Sequence, residues 1–177
     1  MGVEHEVRRD HFAHFRNLVA VDNLAQAHDL DRAVRLSPEW SNIAAALAWG
    51  TDQARWEDAA DLAAGCLGLW EDVVPTVEGK RWVQMILPHV DQTLLPAQLL
   101  ETGLAAFEAQ LDNFDAVKSH LKSLVASTLP EIQANAYALR GYLAARVTPE
   151  ASPPQFEAAQ ALIREHDLGE DLSLIHI

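Results

Sequence analysis

The segment WEDAADLAAGCLGLW, residues 56–70, decides how this chain folds. Its apolar residues recur every three or four positions, which is the spacing of one face of an α-helix. One stripe comprises Trp56, Ala60, Ala63, Leu67 and Trp70, and a second stripe beside it comprises Leu62, Cys66 and Leu69. A helix that is apolar over so wide an arc needs neighbours on more than one side. The segment therefore predicts one long helix with other helices packed around it.

The residues before this helix predict a partner that packs closely against it. The segment PEWSNIAAALAWG, residues 38–50, is rich in alanines, which let a neighbouring helix approach. Ile43, Ala46 and Leu47 are expected to form its inner face, and Trp40 and Trp49 to fill the gaps above and below. Ser37 and Pro38 predict an N-cap and a first helical position. Residues 50–52, Gly-Thr-Asp, predict the end of the helix and a turn of the chain. Asn42 is expected to reach free backbone groups near the helix start.

Helical spacing also recurs downstream, and there it repeats. Gly103 and Gly141 lie in the first helices of two predicted helix pairs, about 38 residues apart. A glycine inside a helix costs about 1 kcal/mol relative to alanine, so we interpret both as points where the partner helix comes close. Ala116 and Ala158 are the corresponding small residues on the second helices. The pattern predicts an all-α fold of antiparallel helix pairs, stacked as a tetratricopeptide (TPR)-like right-handed solenoid.

Four segments follow from these patterns. Residues 1–36 are predicted to form an N-terminal helix and a linker, and residues 37–88 a Trp-rich helical hairpin with one further helix. Residues 89–171 are predicted to hold the TPR-like repeats, the last of them incomplete. Residues 172–177, LSLIHI, match the translation of a transposon end sequence used in preparing sequencing libraries. We therefore expect them to be an adapter translation at the end of a gene fragment, with a natural apolar tail as the alternative.

Composition and charge exclude some classes of function. The chain has 177 residues, of which 49% are hydrophobic and 22% charged, as is usual for one globular domain or a piece of a larger one. Its formal net charge of −13 repels phosphates, so we predict no nucleic-acid binding by this segment. No apolar run approaches the roughly 20 residues that span a bilayer. Cys66 is the only cysteine, and a reducing cytoplasm is the simplest setting.

The order of motifs resembles a segment of large bacterial transcriptional regulators. In these STAND-type and LuxR-type proteins, a nucleotide-binding ATPase module is followed by helical repeats. The resemblance covers about residues 11–87, and its elements follow the order of the family pattern. They are His11, Phe12 and Phe15, then Glu39, Asn42 and Ile43, then Ala46, Leu47 and Trp49, then Gly50 and Asp52, then Leu62, Ala63 and Trp70, and finally Glu78, Gly79, Arg81 and Trp82.

The resemblance implies a non-catalytic sensor and protein-interaction segment of a multidomain, signal-responsive regulator. The implied partners are a protein or peptide, including an adjoining ATPase domain, and a small inducer. The alternative is a free-standing TPR-like adaptor. The resemblance names Asn42, Leu47, Trp49, Trp70, Gly79 and Trp82 as motif and core positions.

Other constellations have simpler explanations than chemistry. Residues 79–81, Gly-Lys-Arg, lack the remaining residues of a phosphate loop. His5, His11 and His14 could ligate a metal, but they border an apolar helix stripe, so packing is favoured. Cys66 lies in an apolar stripe and is expected to be a buried hydrophobe and not a nucleophile. The acidic residues between 52 and 72 are expected to form a solvated face. The sequence thus predicts no catalytic residue, cofactor or metal.

Overall fold

Helices account for the regular structure of residues 2–147 and 149–168, the part of the chain that the computed structural model describes. No β-strand occurs in that part, and the predicted all-α class is confirmed. The α-helices are α1 (Val3–Leu18), α2 (Leu24–Ala27), α3 (Leu30–Leu36), α4 (Trp40–Asp52), α5 (Trp56–Ala64), α6 (Leu67–Asp72), α7 (Thr76–Ile86), α8 (Leu95–Gln110), α9 (Phe114–Leu124), α10 (Pro130–Val147) and α11 (Pro153–His166). They form two compact units, one up to Leu100 and one from Glu101 onward.

The predicted linker in residues 1–36 is helical in its second half. Asn23 caps α2, because its side chain accepts a hydrogen bond from the backbone N–H of Gln26 at 2.9 Å. Asp29 caps α3 in the same way, accepting from the N–H of Arg32 at 2.9 Å. Asn and Asp are favoured at this position because their oxygens satisfy N–H groups that have no partner within the helix. The prediction overlooked both caps.

Of the two predicted boundaries of α4, the start is wrong and the end agrees with the structure. Ser37 does not cap the next helix, since its hydroxyl donates to the carbonyl of Val34 at 2.9 Å and the chain continues through a 3₁₀ turn into α4. The predicted end within residues 50–52 agrees with the structure, since α4 ends at Asp52, although Gly50 itself is still helical. A Cβ at Gly50 would lie 2.5 Å from the Phe12 ring of α1, so this glycine provides room for a neighbouring aromatic side chain.

The predicted long helix over residues 56–70 is two helices. A break at Gly65 and Cys66 separates α5 from α6. A Cβ at Gly65 would lie 1.9 Å from the backbone carbonyl oxygen of Val19. The chain leaves the helical path at a residue whose lack of a side chain lets another backbone come within contact distance. Helical periodicity does not register such a break, because the apolar spacing continues across it.

The core of the first unit lies where α1, α4, α5, α6 and α7 pack together, with α3 against α6. Side chains from all of these helices are buried, as the wide apolar arc of residues 56–70 predicted. The largest of them that are almost fully buried are Phe12, Leu24, Ile43, Leu47, Leu62, Leu67, Leu69, Trp70 and Ile86.

In the second unit, α10 packs against both α9 and α11. The α10–α11 pair is fixed at Gly141, where a Cβ would lie 3.0 Å from the Phe156 ring of α11. The hydroxyl of Ser152 also donates to the carbonyl of Gly141 at 2.8 Å, in a buried position. The turn between α8 and α9 falls at Asp112 and Asn113, as the sequence predicted, and Asp112 has a positive φ of 57°.

Candidate functional site

An open groove of about 800 Å³ lies in the second unit, between α9 and α10 and beside the start of α11. Its lining combines apolar side chains with three cations. The lining residues are Phe114, Lys118, Leu121, Lys122, Val125, Arg140, Leu143, Ala144, Ala151 and Gln155. We call this feature the basic groove.

The floor of the basic groove is apolar because of helical spacing. Phe114, Leu121 and Val125 stand at i, i+7 and i+11 along α9 and the residue that follows it, so they fall on one face. Leu143 and Ala144 of α10 complete the floor. Leu121 and Leu143 are buried, whereas Phe114, Val125 and Ala144 are half-buried. The three half-buried side chains are packed on one side and expose apolar surface to the groove on the other.

Lys118, Lys122 and Arg140 form the rim of the basic groove. All three are exposed. Lys118 and Lys122 are one helical turn apart on α9. The concentration of positive charge is notable in a chain that has 13 Lys and Arg against 26 Asp and Glu. Asp115, which is 95% exposed, lies 3.1 Å from the Lys118 ammonium. The Arg140 guanidinium lies over the Tyr137 ring, at 5.7 Å from its centroid.

The ends of the basic groove carry further polar groups. Arg146 lies over the ring of Phe114 at 5.3 Å from its centroid and donates to the Tyr142 hydroxyl at 2.7 Å. At α11, the Oε1 atom of Gln155 is buried and accepts no hydrogen bond from any described residue. A buried acceptor of this kind costs free energy unless a donor satisfies it.

The basic groove was only partly visible in the sequence. The periodicity of α9 places Phe114 and Leu121 on an apolar stripe. Lys118 and Lys122 were overlooked as a pair, although i and i+4 cations beside such a stripe are a readable signal. Arg140 reaches the rim only because α10 packs against α9, and no local sequence pattern predicts that packing.

The residues named by the family resemblance lie in the first unit, and none of them lines the basic groove. Leu47 and Trp70 are fully buried, Gly79 and Trp82 are buried, and Trp49 is half-buried. Asn42 is exposed, and its side-chain N–H donates to the Glu39 carboxylate at 2.8 Å and not to the helix backbone, which differs from the expected role. The buried residues of this set contribute to the packing of the first unit, and the set forms no cluster of reactive groups.

Trp70 is the centre of this packing. Its ring meets the Trp40 ring edge-on, with centroids 5.9 Å apart and an interplanar angle of 86°. On another side, Gly79 of α7 comes so close that an added Cβ would lie 2.5 Å from the Cβ and Cγ atoms of Trp70. Trp49, by contrast, packs on α1, with its ring 5.3 Å from that of Phe12. Gly79 therefore belongs to the interior of α7, and a phosphate loop at residues 79–81 is not formed.

An arginine that the sequence reading overlooked links three elements of the first unit. The Arg32 guanidinium donates to the carbonyl of Gly65 at 2.8 Å and also to the carbonyl of Val19. It thus supplies donors to the α5–α6 break and to the end of α1. Burial lowers the pKa of Arg32, although Cys66 and Asp29 oppose this shift.

Several acidic residues are paired across helices, so the predicted solvated face is only partly present. Arg16 of α1 contacts the carboxylates of Asp58 at 2.5 Å and Asp61 at 2.8 Å. Glu71 is largely buried and lies 2.6 Å from the Nδ1 atom of His28. Burial on its own lowers the pKa of His28, but the charges of Glu71 and Asp72 and the hydrogen bond to Glu71 together raise it above the ordinary value.

The three N-terminal histidines pack against aromatic rings. His5 contacts Trp49, and His11 and His14 both contact Phe15, with centroid distances between 4.8 and 5.7 Å. Within residues 2–147 and 149–168, no three His, Cys, Asp or Glu side chains meet in a group that could hold a metal ion.

Cys66 is fully buried, and its thiol donates to the carbonyl of Leu62 at 3.2 Å. Burial raises the pKa of Cys66 to about 12, although Arg32 opposes the shift. The thiolate is the nucleophilic form, and the raised pKa keeps Cys66 protonated at neutral pH, as expected of a buried hydrophobe.

The predicted repeat positions are occupied as follows. Gly103 is buried in α8, and Gly141 contacts Phe156 closely. Ala116 and Ala158 are half-buried, each next to a buried residue of its helix. Their equivalence as repeat positions stays a prediction. Residues 172–177 lie outside the described part of the chain, and the adapter interpretation also stays a prediction.

Comparisons with known proteins identified no similar protein. A scan against models of protein families, a search of curated proteins and a search of solved structures each gave no significant match. Among the described residues, none of the helices combines the length and the apolar character that crossing a bilayer requires.

Proposed function

We propose that this chain is a non-catalytic, helical-repeat segment for protein interaction in a multidomain, signal-responsive ATPase regulator of transcription. The α8–α9 and α10–α11 pairs would be successive TPR-like units of a right-handed solenoid. In this proposal the first unit is the Trp-rich element that follows the ATPase module, and the segment works in the cytoplasm.

The basic groove is the observation that carries the proposal. It joins an apolar floor to a charged rim on the surface of a well-packed unit, and such a combination suits recognition more than catalysis. The titratable groups with resolved shifts point the same way. His28 and Arg32 are engaged with neighbouring residues, burial keeps Cys66 protonated, and the pKa of Asp91 is lowered because its carboxylate accepts hydrogen bonds from the N–H and hydroxyl of Thr93. Each of the four shifts therefore has a structural explanation.

The mechanism would be a shift between two arrangements of the segment and the ATPase module. A partner that binds the basic groove better in one arrangement changes the populations by its differential affinity. A coupling of 1–3 kcal/mol, or about 5–150-fold, is usual for such effects. The groove residues themselves would perform no chemical step.

The test begins with the reading frame at its natural locus. We expect a nucleotide-binding module upstream of this segment and a DNA-binding domain elsewhere in the frame. The intact protein should hydrolyse ATP at a rate that changes when Lys122→Glu is introduced. Arg164→Glu, the same charge change at an exposed position of α11 that does not line the groove, is the matched control.

Two outcomes would refute parts of this proposal. A natural reading frame without a nucleotide-binding module would leave a free-standing TPR-like adaptor as the function. Hydrolysis that is unaffected by Lys122→Glu, or affected equally by Arg164→Glu, would show that the basic groove does not communicate with the ATPase.

A further inference from the structure

We propose that the basic groove binds an acidic amphipathic α-helix of a partner protein, about three turns long, lying along α9. This inference rests on the proposed function as an interaction segment and names the chemistry of the partner. It follows from the charge of the groove rim, the length of the groove, and the hydrogen bonds that the backbone of a bound segment needs.

Charge complementarity selects an acidic partner. Lys118, Lys122 and Arg140 give the rim three positive charges, in a chain whose formal net charge is −13. The other 10 Lys and Arg residues are outnumbered by 26 Asp and Glu, so the rest of the chain is on average repulsive to an acidic segment, whereas the three rim cations attract it. A basic partner would be attracted elsewhere on the chain and would face like charges here.

The spacing of the lining residues selects a helix of defined length. Phe114 to Val125 span 11 residues of helical rise, or about 16 Å at 1.5 Å per residue, which is about three turns. Lys118 and Lys122 are one turn apart, so carboxylates at i and i+4 of a helix parallel to α9 can face them together. Apolar residues on the adjacent face of that helix would pack on Leu121, Val125 and Leu143.

Backbone hydrogen bonding favours a helix over an extended peptide. A helix satisfies its own backbone N–H and C=O groups, whereas an extended chain on an apolar floor must find partners for them. The groove lining offers mostly aliphatic side chains there, namely Leu121, Val125, Leu143 and Ala144. An extended segment would therefore lose backbone hydrogen bonds with water and gain few in return.

The experiment uses the complete chain and designed probes of known composition. Fluorescence anisotropy measures binding of an 18-residue peptide with leucines on one helical face and glutamates beside them. A second peptide keeps the leucines and replaces each glutamate by lysine. Dodecanoate and vesicles of anionic phosphatidylglycerol are added as competitors, because a small amphiphile or a membrane surface shares part of this chemistry.

We expect the acidic peptide to bind and the basic peptide not to bind at the same site. Lys122→Glu and Arg140→Glu should each weaken binding about three- to tenfold and reduce its dependence on salt. Arg164→Glu should leave the affinity unchanged. Circular dichroism should show the same helix content and melting temperature in all of these variants, because the substituted side chains are exposed.

Three results would overturn the inference. One is equal binding of both peptides. Another is an equal loss of affinity with Arg164→Glu, which would mean that only net charge matters. The third is saturable binding of dodecanoate or vesicles without binding of the acidic peptide. The proposed function fails separately, since it depends on the natural reading frame and on ATP hydrolysis and not on these probes.

Discussion

Replacing Gly79 with alanine should destabilise the first unit, although alanine is the better helix former. The added Cβ would lie 2.5 Å from the Cβ and Cγ of Trp70 and 2.7 Å from its Cδ2. Carbon atoms pack best at about 3.5–4.0 Å, so the two groups must separate by about 1 Å. Trp70 cannot swing away, because the clash involves its first side-chain atoms and the residue is fully buried against Trp40.

The magnitude follows from two opposing effects. Overpacking of a dense core costs about 1–3 kcal/mol, and this clash, at Cβ and Cγ, belongs at the upper end. Alanine in place of glycine inside a helix returns about 1 kcal/mol. The net loss at Gly79 should be about 2 kcal/mol, which lowers the melting temperature by about 4–8 °C for a chain of this size.

Urea unfolding followed by tryptophan fluorescence measures this loss, and Gly68→Ala is the matched control. Gly68 also lies in a helix of the first unit, but its added Cβ would meet atoms no closer than 3.3 Å. We expect its unfolding free energy to change by less than about 1 kcal/mol. Trp70→Ala alone should cost about 3–5 kcal/mol. In that background Gly79→Ala should cost nothing or stabilise by up to about 1 kcal/mol, which gives a coupling energy of about 2–3 kcal/mol. Equal stability of the Gly79 and Gly68 variants, or strictly additive effects in the double variant, would refute the reasoning.

The other predictions concern polar groups of the first unit. The pKa of His28 is raised in the folded chain by its pairing with Glu71. The pair should therefore contribute stability fully below about pH 6.5 and lose it as the pH rises through the folded pKa. Melting temperatures of the wild type and His28→Gln from pH 5 to pH 9 should converge at the alkaline end, and a constant difference would contradict this. Cys66, with a pKa of about 12, should react with a thiol-specific disulfide reagent at pH 8 only after unfolding, so rapid labelling of the native chain would refute its burial. Arg32→Met should cost about 2–4 kcal/mol in urea unfolding, because two backbone carbonyls lose their donor, whereas the exposed Arg35→Met should cost little.

Much of the fold could be predicted because apolar periodicity reports burial directly. The stripes through Leu47, Leu67 and Trp70 predicted the buried core of the first unit, and Asp112 marked a real turn. The misassigned residues share a physical cause. The sequence placed Gly50 in a turn and Gly65 inside a helix, whereas Gly50 is helical and Gly65 lies at a helix break. Both glycines make room for a distant part of the chain, Gly50 for the Phe12 ring and Gly65 for the Val19 carbonyl.

The candidate site was less predictable than the fold. Lys118 and Lys122 could be paired from their spacing, but the third rim cation comes from another helix. A groove is a property of two packed elements, so its residues carry no common local pattern. The pair of His28 and Glu71 shows the same limit. An acidic residue such as Glu71 is predicted to be solvated from its sequence alone, and its burial becomes apparent only when the helix that carries its partner is placed.

Positions 32 and 65 are joined through the Val19 carbonyl in a way that bears on recognising related chains. Any side chain at position 65 would collide with that oxygen, and only a planar cation of sufficient length reaches it and the Gly65 carbonyl together. A related chain that replaced Arg32 would leave two acceptors without a donor and would gain from relaxing the close approach, which in turn would free position 65 from glycine. The two positions should therefore change together or not at all. In a chain already known to share this fold, an arginine followed 33 residues later by a glycine would indicate that the α5–α6 break still approaches the end of α1 this closely.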